Sequence, residues 1–592
     1  MNKKIIISIS SLLFLLNNCA GPMSAITQKE LKSHVHYLAS DRLQGRFPGT
    51  DGDRNAAEYI RNQFERSGLT LLGDAGFQYF DVITGASLGH NNSLAIDKIN
   101  FSVGENFIPL SFSQNTTLTA PIIFVGFGFD IQNDSLSWND YSDIDVTGKW
   151  VLILRGSPDG NNPHGDYSKH SSFRKKVMIA KDHSAAGVIF TSGVKFDKSD
   201  NLIPLRYDQS QTNVTIPVIH ITREVADLLF QESGNNLISF ENNAIQMMEK
   251  YKSIGLKKIV SVSTDVEYQR VQTQNIVGIL PGIDEQLQDE YVVIGAHYDH
   301  LGFGGERSGS RRPDHYEIHN GADDNASGVS VMIELAEIFS HHHSNARTMV
   351  FIGFGAEEMG LLGSKHFVKS GIIEKDHIQI MLNMDMVGRF DNKVKKISIG
   401  GTHTAVDLEP EIESIISKTN LQYSFSPEGY GPSDHTSFYV SDIPVLFFFT
   451  GAHNDYHTPD DDAEKINYKG MKSVSQLIYS IADHFSTMGE RLVFQEAGPK
   501  KQEERQRFKV TLGIMPDYTY SATKGLRIDA VLKDKPASNA GLEKGDVIIE
   551  MNGGSVDDIY EYMHRLSEFN PGDEVKVKVV RGENKKTVIV KF

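Results

Sequence analysis

Five side chains able to bind metal, His297, Asp324, Glu358, Asp385 and His457, sit just past the ends of separate apolar segments. His297 follows Tyr291 to Gly295, Glu358 follows Met349 to Phe354, Asp385 follows Ile378 to Leu382, and His457 comes after Ile443 to Phe449. Two imidazoles and three carboxylates exceed what one four-coordinate zinc takes. They suit two zinc ions sharing a bridging carboxylate, and so hydrolysis by a metal-activated water.

Short apolar runs separated by helix-like segments predict buried strands of an α/β sheet, and ligands collect outside the carboxyl ends of such strands. Residues 31–69 are helix-rich. In Arg54 to Gly68, Ala56, Ala57, Ile60 and Phe64 share one face ahead of a C-cap glycine, and the loop before it carries Asp41 to Arg46 and Gly49 to Gly52. From about residue 110 to 260 the pattern changes to short strands and turns without any metal or acid/base constellation, which predicts an inserted domain. The sheet-and-helix pattern then runs to about Met488. A polar segment from Pro499 to Gln506 reads as a linker, and a compact β-rich module closes the chain.

Each motif has a plainer reading beside the chemical one. In His297-Tyr298-Asp299-His300, His297 can ligate metal while the Asp299 carboxylate accepts the proton of the other ring nitrogen, and His300 has no necessary role. Asp324 precedes a segment with Val329, Met332, Ile333 and Ala336 on one face of an amphipathic helix, where an acidic residue can simply cap the helix. Glu357 and Glu358 are adjacent at a strand end, so one can bind metal while the other takes a proton from water; spacing does not say which. His341 to His343 reads as a solvated helix end.

Taken in order, His297-Tyr298-Asp299, Asp323 to Gly328, Glu357 to Gly360, Asn383 to Met386 and Tyr456-His457-Thr458 resemble the motifs of secreted dizinc aminopeptidases related to glutamate carboxypeptidase. The resemblance covers roughly residues 25–105 and 265–490. The middle stretch is similar to a protease-associated domain, and the C-terminal stretch resembles a PDZ domain. The implied fold is an α/β, mixed-sheet zinc-peptidase domain with helices on both faces, interrupted by a β-rich insertion and followed by the PDZ domain. The implied boundaries are a signal peptide at 1–18, peptidase at 19–108 and 263–492, insertion at 109–262, linker at 493–506 and PDZ at 507–592.

The resemblance also implies roles. Asp324 would bridge two zinc ions, with His297 and Asp385 completing one site and Glu358 and His457 the other. Glu357 would be the general base, and Tyr456 would donate a hydrogen bond to the developing oxyanion. The segment Gly431 to Phe438 resembles one near the substrate, so Asp434 or His435 would touch ligands or substrate; a structural turn is the alternative. The implied activity is removal of N-terminal residues from peptides. A carboxypeptidase or a glutaminyl-cyclase-like enzyme on the same scaffold is one alternative, and an inactive peptidase fold that only binds is another. Cobalt or manganese suits the same donors.

The chain has 592 residues, a hydrophobic fraction of 39% and a formal net charge of −17. That length predicts about four domains. The acidic balance and the lack of a dense basic run argue against a nucleic-acid partner. Lys3 and Lys4 precede the apolar stretch Ile5 to Leu16, which reads as a secretory signal, and the single cysteine, Cys19, follows it. The arrangement resembles a bacterial lipoprotein processing site, placing the protein in the cell envelope with membrane contact only through that anchor; an ordinary cleaved signal is the alternative. One cysteine allows no internal disulfide. Peptides are the expected substrates, and the PDZ loop Leu512 to Met515 would accept a peptide C-terminus unless the module only packs on its neighbour.

Overall fold

The computed structural model describes residues 25–592 apart from 133–135, 160–166, 208–213, 248–252, 307, 392–395, 499–509, 517–524, 532–534, 557–561, 564, 567 and 583. The signal segment and Cys19 lie outside the described residues. Among the described residues no helix is long and apolar enough to cross a membrane.

The strand Tyr291–His297 lies at the middle of the first sheet, parallel to Thr348–Phe354 on one side and to Ile378–Met384 on the other. Val445–Phe449 extends the parallel set beyond Ile378–Met384. The chain therefore moves first to one side of Tyr291–His297 and then to the other. This makes a topological switch point between the ends of Tyr291–His297 and Ile378–Met384, where such sheets leave an open crevice. Val266–Leu280 and Lys396–Gly400 add antiparallel strands, so the sheet is mixed, as expected.

Alternation along the central strand builds two cores. Val292, Ile294 and Ala296 join the cluster containing Val329, Met332 and Ile481. Val293 joins Phe354, Met381 and Phe438 on the opposite face. Successive strand residues point to opposite faces, so a strand covered on both sides must be apolar throughout, and each fully buried Val or Ile stabilises the fold by roughly 1.5–3 kcal/mol. The helix Gly328–His342 differs from the expected amphipathic segment. Val331, Leu335 and Ile338 are buried along with Val329, Met332, Ile333 and Ala336, because the helix is packed between the sheet and the helices Gln28–Leu38 and Tyr468–Thr487. Its buried acid Glu334 is answered by His34 at 3.4 Å and by the amide of Thr27.

The helix Asp51–Arg66 starts where the Thr50 hydroxyl accepts the amide of Asp53. It ends in paired bonds from Leu69 N to Phe64 O and from Gly68 N to Glu65 O, with Gly68 at φ +77°. This double bond pattern needs a left-handed residue at the helix exit, which glycine adopts without a Cβ clash. The expected apolar face, Ala56, Ala57, Ile60 and Phe64, is fully covered.

A two-stranded ribbon, Phe77–Leu88 against Val266–Leu280, leads out of this sheet to a second one. Its central strands Thr116–Phe124, Trp150–Leu154, Gly187–Thr191 and Val218–Ile221 are parallel, with antiparallel strands on both flanks. The insertion starts ahead of the expected boundary at 109. Ser93–Ile96 already pairs with Ile254–Thr264 in this sheet, a strand too short to stand out by its apolar pattern. The C-terminal module is an antiparallel sheet running from Ile514–Pro516 to Asn584–Lys591 around its own core. The expected linker at 493–506 also begins late. Val493 accepts from Val406 N, Gln495 N donates to Thr404 O, and Ala497 N donates to the Tyr439 hydroxyl, so this stretch is a strap on the first domain.

Candidate metal centre

The side chains read from the strand ends meet above the switch point. His297 Nε2 lies 3.2 Å from Asp324 Oδ1 and 3.5 Å from Asp385 Oδ1. His457 Nε2 lies 3.0 Å from Asp324 Oδ2 and 3.2 Å from Glu358 Oε2. Asp324 thus turns one oxygen to each histidine. Donors about 2.0–2.1 Å from a tetrahedral zinc stand about 3.3 Å apart, close to these separations.

The ring tautomers agree with this use. His457 Nδ1 donates to Gly309 O at 3.0 Å, and His297 Nδ1 donates to Asp299 O at 3.2 Å, so each ring can offer an Nε2 lone pair. Asp324 Oδ2 is buried and takes no hydrogen bond although His457 Nε2 faces it. Convergent nitrogen and carboxylate donors with an orphaned buried oxygen fit divalent cations with a taste for N and O ligands, zinc among them. His297, Asp324 and Asp385 form one group able to hold a metal ion, and His300, Asp324 and Glu358 form another.

Other parts of the chain hold these groups in place. The Asp299 carboxylate lies 3.7 Å from His297 Nδ1, beyond hydrogen-bond reach, and instead accepts the amides of Glu357 at 2.9 Å and Glu358 at 3.3 Å. This differs from the expected carboxylate–imidazole pair: the backbone carbonyl orients the ring, and the carboxylate shapes the turn that separates the two glutamates. Glu358 points to His457 and His300, whereas Glu357 Oε2 lies 4.0 Å from His297 Nε2. Asp461 Oδ2 accepts the amides of both Asp323 and Asp324. Asn325 Nδ2 donates to Met384 O and Asp323 Oδ1 accepts from Gly388 N, which ties the Asp324 turn to the Asp385 turn.

Arg46 is fully buried beneath the centre. Its guanidinium donates to the carbonyls of Leu38, Tyr298, Asn320 and Gly321. Burial lowers its pKa to about 10, opposed by Asp299, Asp324, Asp461 and Glu358, so it stays charged at neutral pH.

Burial is the largest influence on Glu357, Asp434, His435 and Tyr456. It pushes Glu357 well above the usual carboxyl range, with Glu358, Asp434 and Asp385 adding to the shift and His297 opposing it. Asp434 is raised by burial to about 7 and feels the charges of His297, Asp299 and Asp385. His435, the other expected contact in that segment, is lowered by burial to about 3 and stacks on Phe447 at 4.5 Å, a packing role. Tyr456 stacks on His457 at 3.8 Å; burial and then Asp324 and Glu358 raise its phenol well above 10, keeping it a neutral donor.

Sequence reasoning gave His300 no necessary role and passed over Asp461 and Arg46. Asp461 lies in the acidic run Asp460 to Asp462, and nothing in the sequence marks its middle residue. Arg46 sits in a glycine-rich loop far from the motifs in sequence. Its only signal is the loop itself, a cluster of Gly and charge between two helices.

Known proteins are similar to this chain in sequence. The description "Peptidase family M28" matches residues 275–482, "PA domain" matches 118–229, and "PDZ domain" matches 505–592. The Aminopeptidase YwaD of Bacillus subtilis strain 168 is 27% identical over 374 residues, covering 62% of this chain and 67% of its own. A probable leucine aminopeptidase of Trichophyton verrucosum is 29% identical over 218 residues, covering 35% of this chain and 56% of its own. Among solved structures, an aminopeptidase from Aneurinibacillus sp. strain AM-1 aligns over 81% of this chain and 98% of its own at 21% identity, with a TM-score of 0.45. The residues that gather at the sheet's carboxyl edge all lie within the stretch that matches Peptidase family M28, and the same chain matches a PA domain and a C-terminal PDZ domain.

Proposed function

We propose that this chain is a zinc-dependent aminopeptidase using two zinc ions, one held by His297, Asp324 and Asp385 and the other by Asp324, Glu358 and His457. The observation that carries the reading is Asp324, whose two oxygens face two different histidines, each also beside a second carboxylate. The aminopeptidase name of the Bacillus subtilis relative supports the same reaction.

When bound, zinc supplies a Lewis acid that polarises the scissile carbonyl and lowers the pKa of water. Glu357 takes a proton from the attacking water and returns it to the leaving amine; a buried carboxyl with a raised pKa suits both transfers. Tyr456, held protonated, donates to the oxygen that gains charge. Asp299 and Asp461 keep the turns in register, so little reorganisation accompanies the reaction. The same proposal includes export with lipid attachment at Cys19 and capture of a peptide C-terminus at Leu512 to Met515. Leu512 is fully buried and Gly513 turns at φ +75°, which fixes the backbone of that loop.

The test compares the protein with Glu357→Gln on free and N-acetylated peptides, following products by mass spectrometry and zinc by elemental analysis. Stepwise N-terminal loss from free peptides only, reduced about 10²–10⁴-fold in a variant that keeps its zinc, is expected. C-terminal products, cyclised products or full turnover by Glu357→Gln would refute the reading, and zinc-loaded protein without turnover would favour a binding role.

A further inference from the structure

We infer that His300 is a positioning residue that selects which oxygen of Glu358 serves the second zinc site, an inference that rests on the zinc reading above. His300 Nδ1 lies 2.8 Å from Glu358 Oε1, a hydrogen-bond distance. The other oxygen, Oε2, is the one that faces His457 Nε2 at 3.2 Å. With Oε1 accepting the Nδ1 proton, Oε2 is left with its lone pairs directed into the centre.

His300 stands near enough to be weighed as a ligand itself, since its ring nitrogen, Asp324 and Glu358 form a group able to hold a metal. The distances favour positioning. Nδ1 is 3.9 Å from Asp324 Oδ2, longer than the edge of about 3.3 Å that tetrahedral zinc imposes on its donors. Its separation from Glu358 is shorter than that edge and matches a bond from N–H to a carboxylate. A donor already engaged with the carboxylate has no lone pair to give at Nδ1.

The ring cannot turn away easily. His300 is fully buried, its backbone amide donates to Arg46 O, and its ring lies edge-on to His457 at 5.7 Å. On the far side it rests on Gly321, where an added Cβ would come within 2.5 Å of the ring carbon Cδ2. Gly321 has φ +54° and precedes the turn that carries Asp324. The residue that orients Glu358 is thus wedged against the loop that presents the bridging carboxylate. His300 thus touches both Glu358 and the loop that presents Asp324.

The test measures zinc affinity by chelator competition and calorimetry in the intact chain, for wild type, His300→Leu and His300→Asn. The Asn amide nitrogen stands where Nδ1 stood, so it keeps the donor without an imidazole. His300→Leu is expected to weaken one of two zinc sites about 10–100-fold while the other stays at its wild-type affinity, and His300→Asn is expected to recover most of that loss. Equal affinity in His300→Leu and wild type would overturn the inference. So would an Asn variant as weak as Leu, which would mean a ligand or a packing role. If His300→Leu fails to fold, the folded Asn variant decides alone: near-wild-type affinity at both sites supports positioning, and loss of one site refutes it. A wild type that binds no zinc would instead sink the underlying reading of the site.

Discussion

Replacing Arg46 by Met should destabilise the peptidase domain by about 4 kcal/mol while leaving the inserted domain untouched. The guanidinium joins the carbonyls of Leu38, Tyr298, Asn320 and Gly321, drawn from three separate stretches of chain. Each charge-assisted bond is worth about 1.5–3 kcal/mol, but the four do not add, because a carbonyl keeps a second lone pair and water can enter the space left by the shorter side chain. Removing one partner from a buried charged network typically costs about 3–5 kcal/mol. The loss would be a large part of a domain stability of about 5–15 kcal/mol. Arg46→Lys keeps the charge without the planar fork and should recover only part of it. Both tryptophans of the chain, Trp138 and Trp150, lie in strands of the insertion, so their fluorescence reports that domain alone. Denaturation followed in parallel by tryptophan fluorescence and by hydrogen exchange of peptides from Tyr291–His297 would separate the two units. A shift below about 1 kcal/mol in the exchange data, or an equal shift in both signals, would refute the reasoning.

Two further outcomes follow from the zinc centre. Asp324→Ala removes the oxygens facing both histidines and should abolish binding at both sites, whereas Asp385→Ala should leave one zinc bound; elemental analysis after dialysis would distinguish them, and equal stoichiometry in the two variants would contradict the bridging role. In the metal-free chain, burial favours neutral imidazoles, but Glu357 and Asp385 around His297, and Glu358 and Asp324 around His457, outweigh it and hold both pKa values well above 6.5. The raised values favour protonated rings in the metal-free chain, and metal binding needs them neutral, so filling the sites should release protons. Affinity should rise with pH until the pH exceeds the raised imidazole values. Calorimetry in buffers of different ionisation enthalpy would count the protons, and none released would contradict the sign.

Much of this was legible in the sequence because it depends on local chemistry. Strand ends such as Val350 to Phe354 are apolar throughout, and that pattern places Glu358 at an edge without any tertiary knowledge. The partition of Glu357 and Glu358 was not legible, because it comes from the Asp299 carboxylate gripping their two amides. The helix Gly328–His342 misled by its small and polar positions, since Ser330 and Glu334 find buried partners in Ala326 O and His34. His300 and Arg46 act through space on residues distant in sequence, and composition carries no trace of such contacts. In the PDZ-like module and the insertion, turn residues marked the strands well, but a strand as short as Ser93–Ile96 needs its partner Ile254–Thr264 to be recognised.

The ribbon that carries the insertion also shapes how the peptidase domain assembles. Leu88 and Val266 are register partners, and beyond them Ser93 pairs with Ser263 inside the inserted sheet. Once the insertion has folded, the ends of its long excursion are already side by side. Phe77–Leu88 and Val266–Leu280 then behave kinetically as a simple hairpin. Pairings that look remote along the chain become near neighbours, and the entropy of closing the loop no longer weighs on the sheet that presents the metal ligands. The inserted domain thus acts as a clasp for its host.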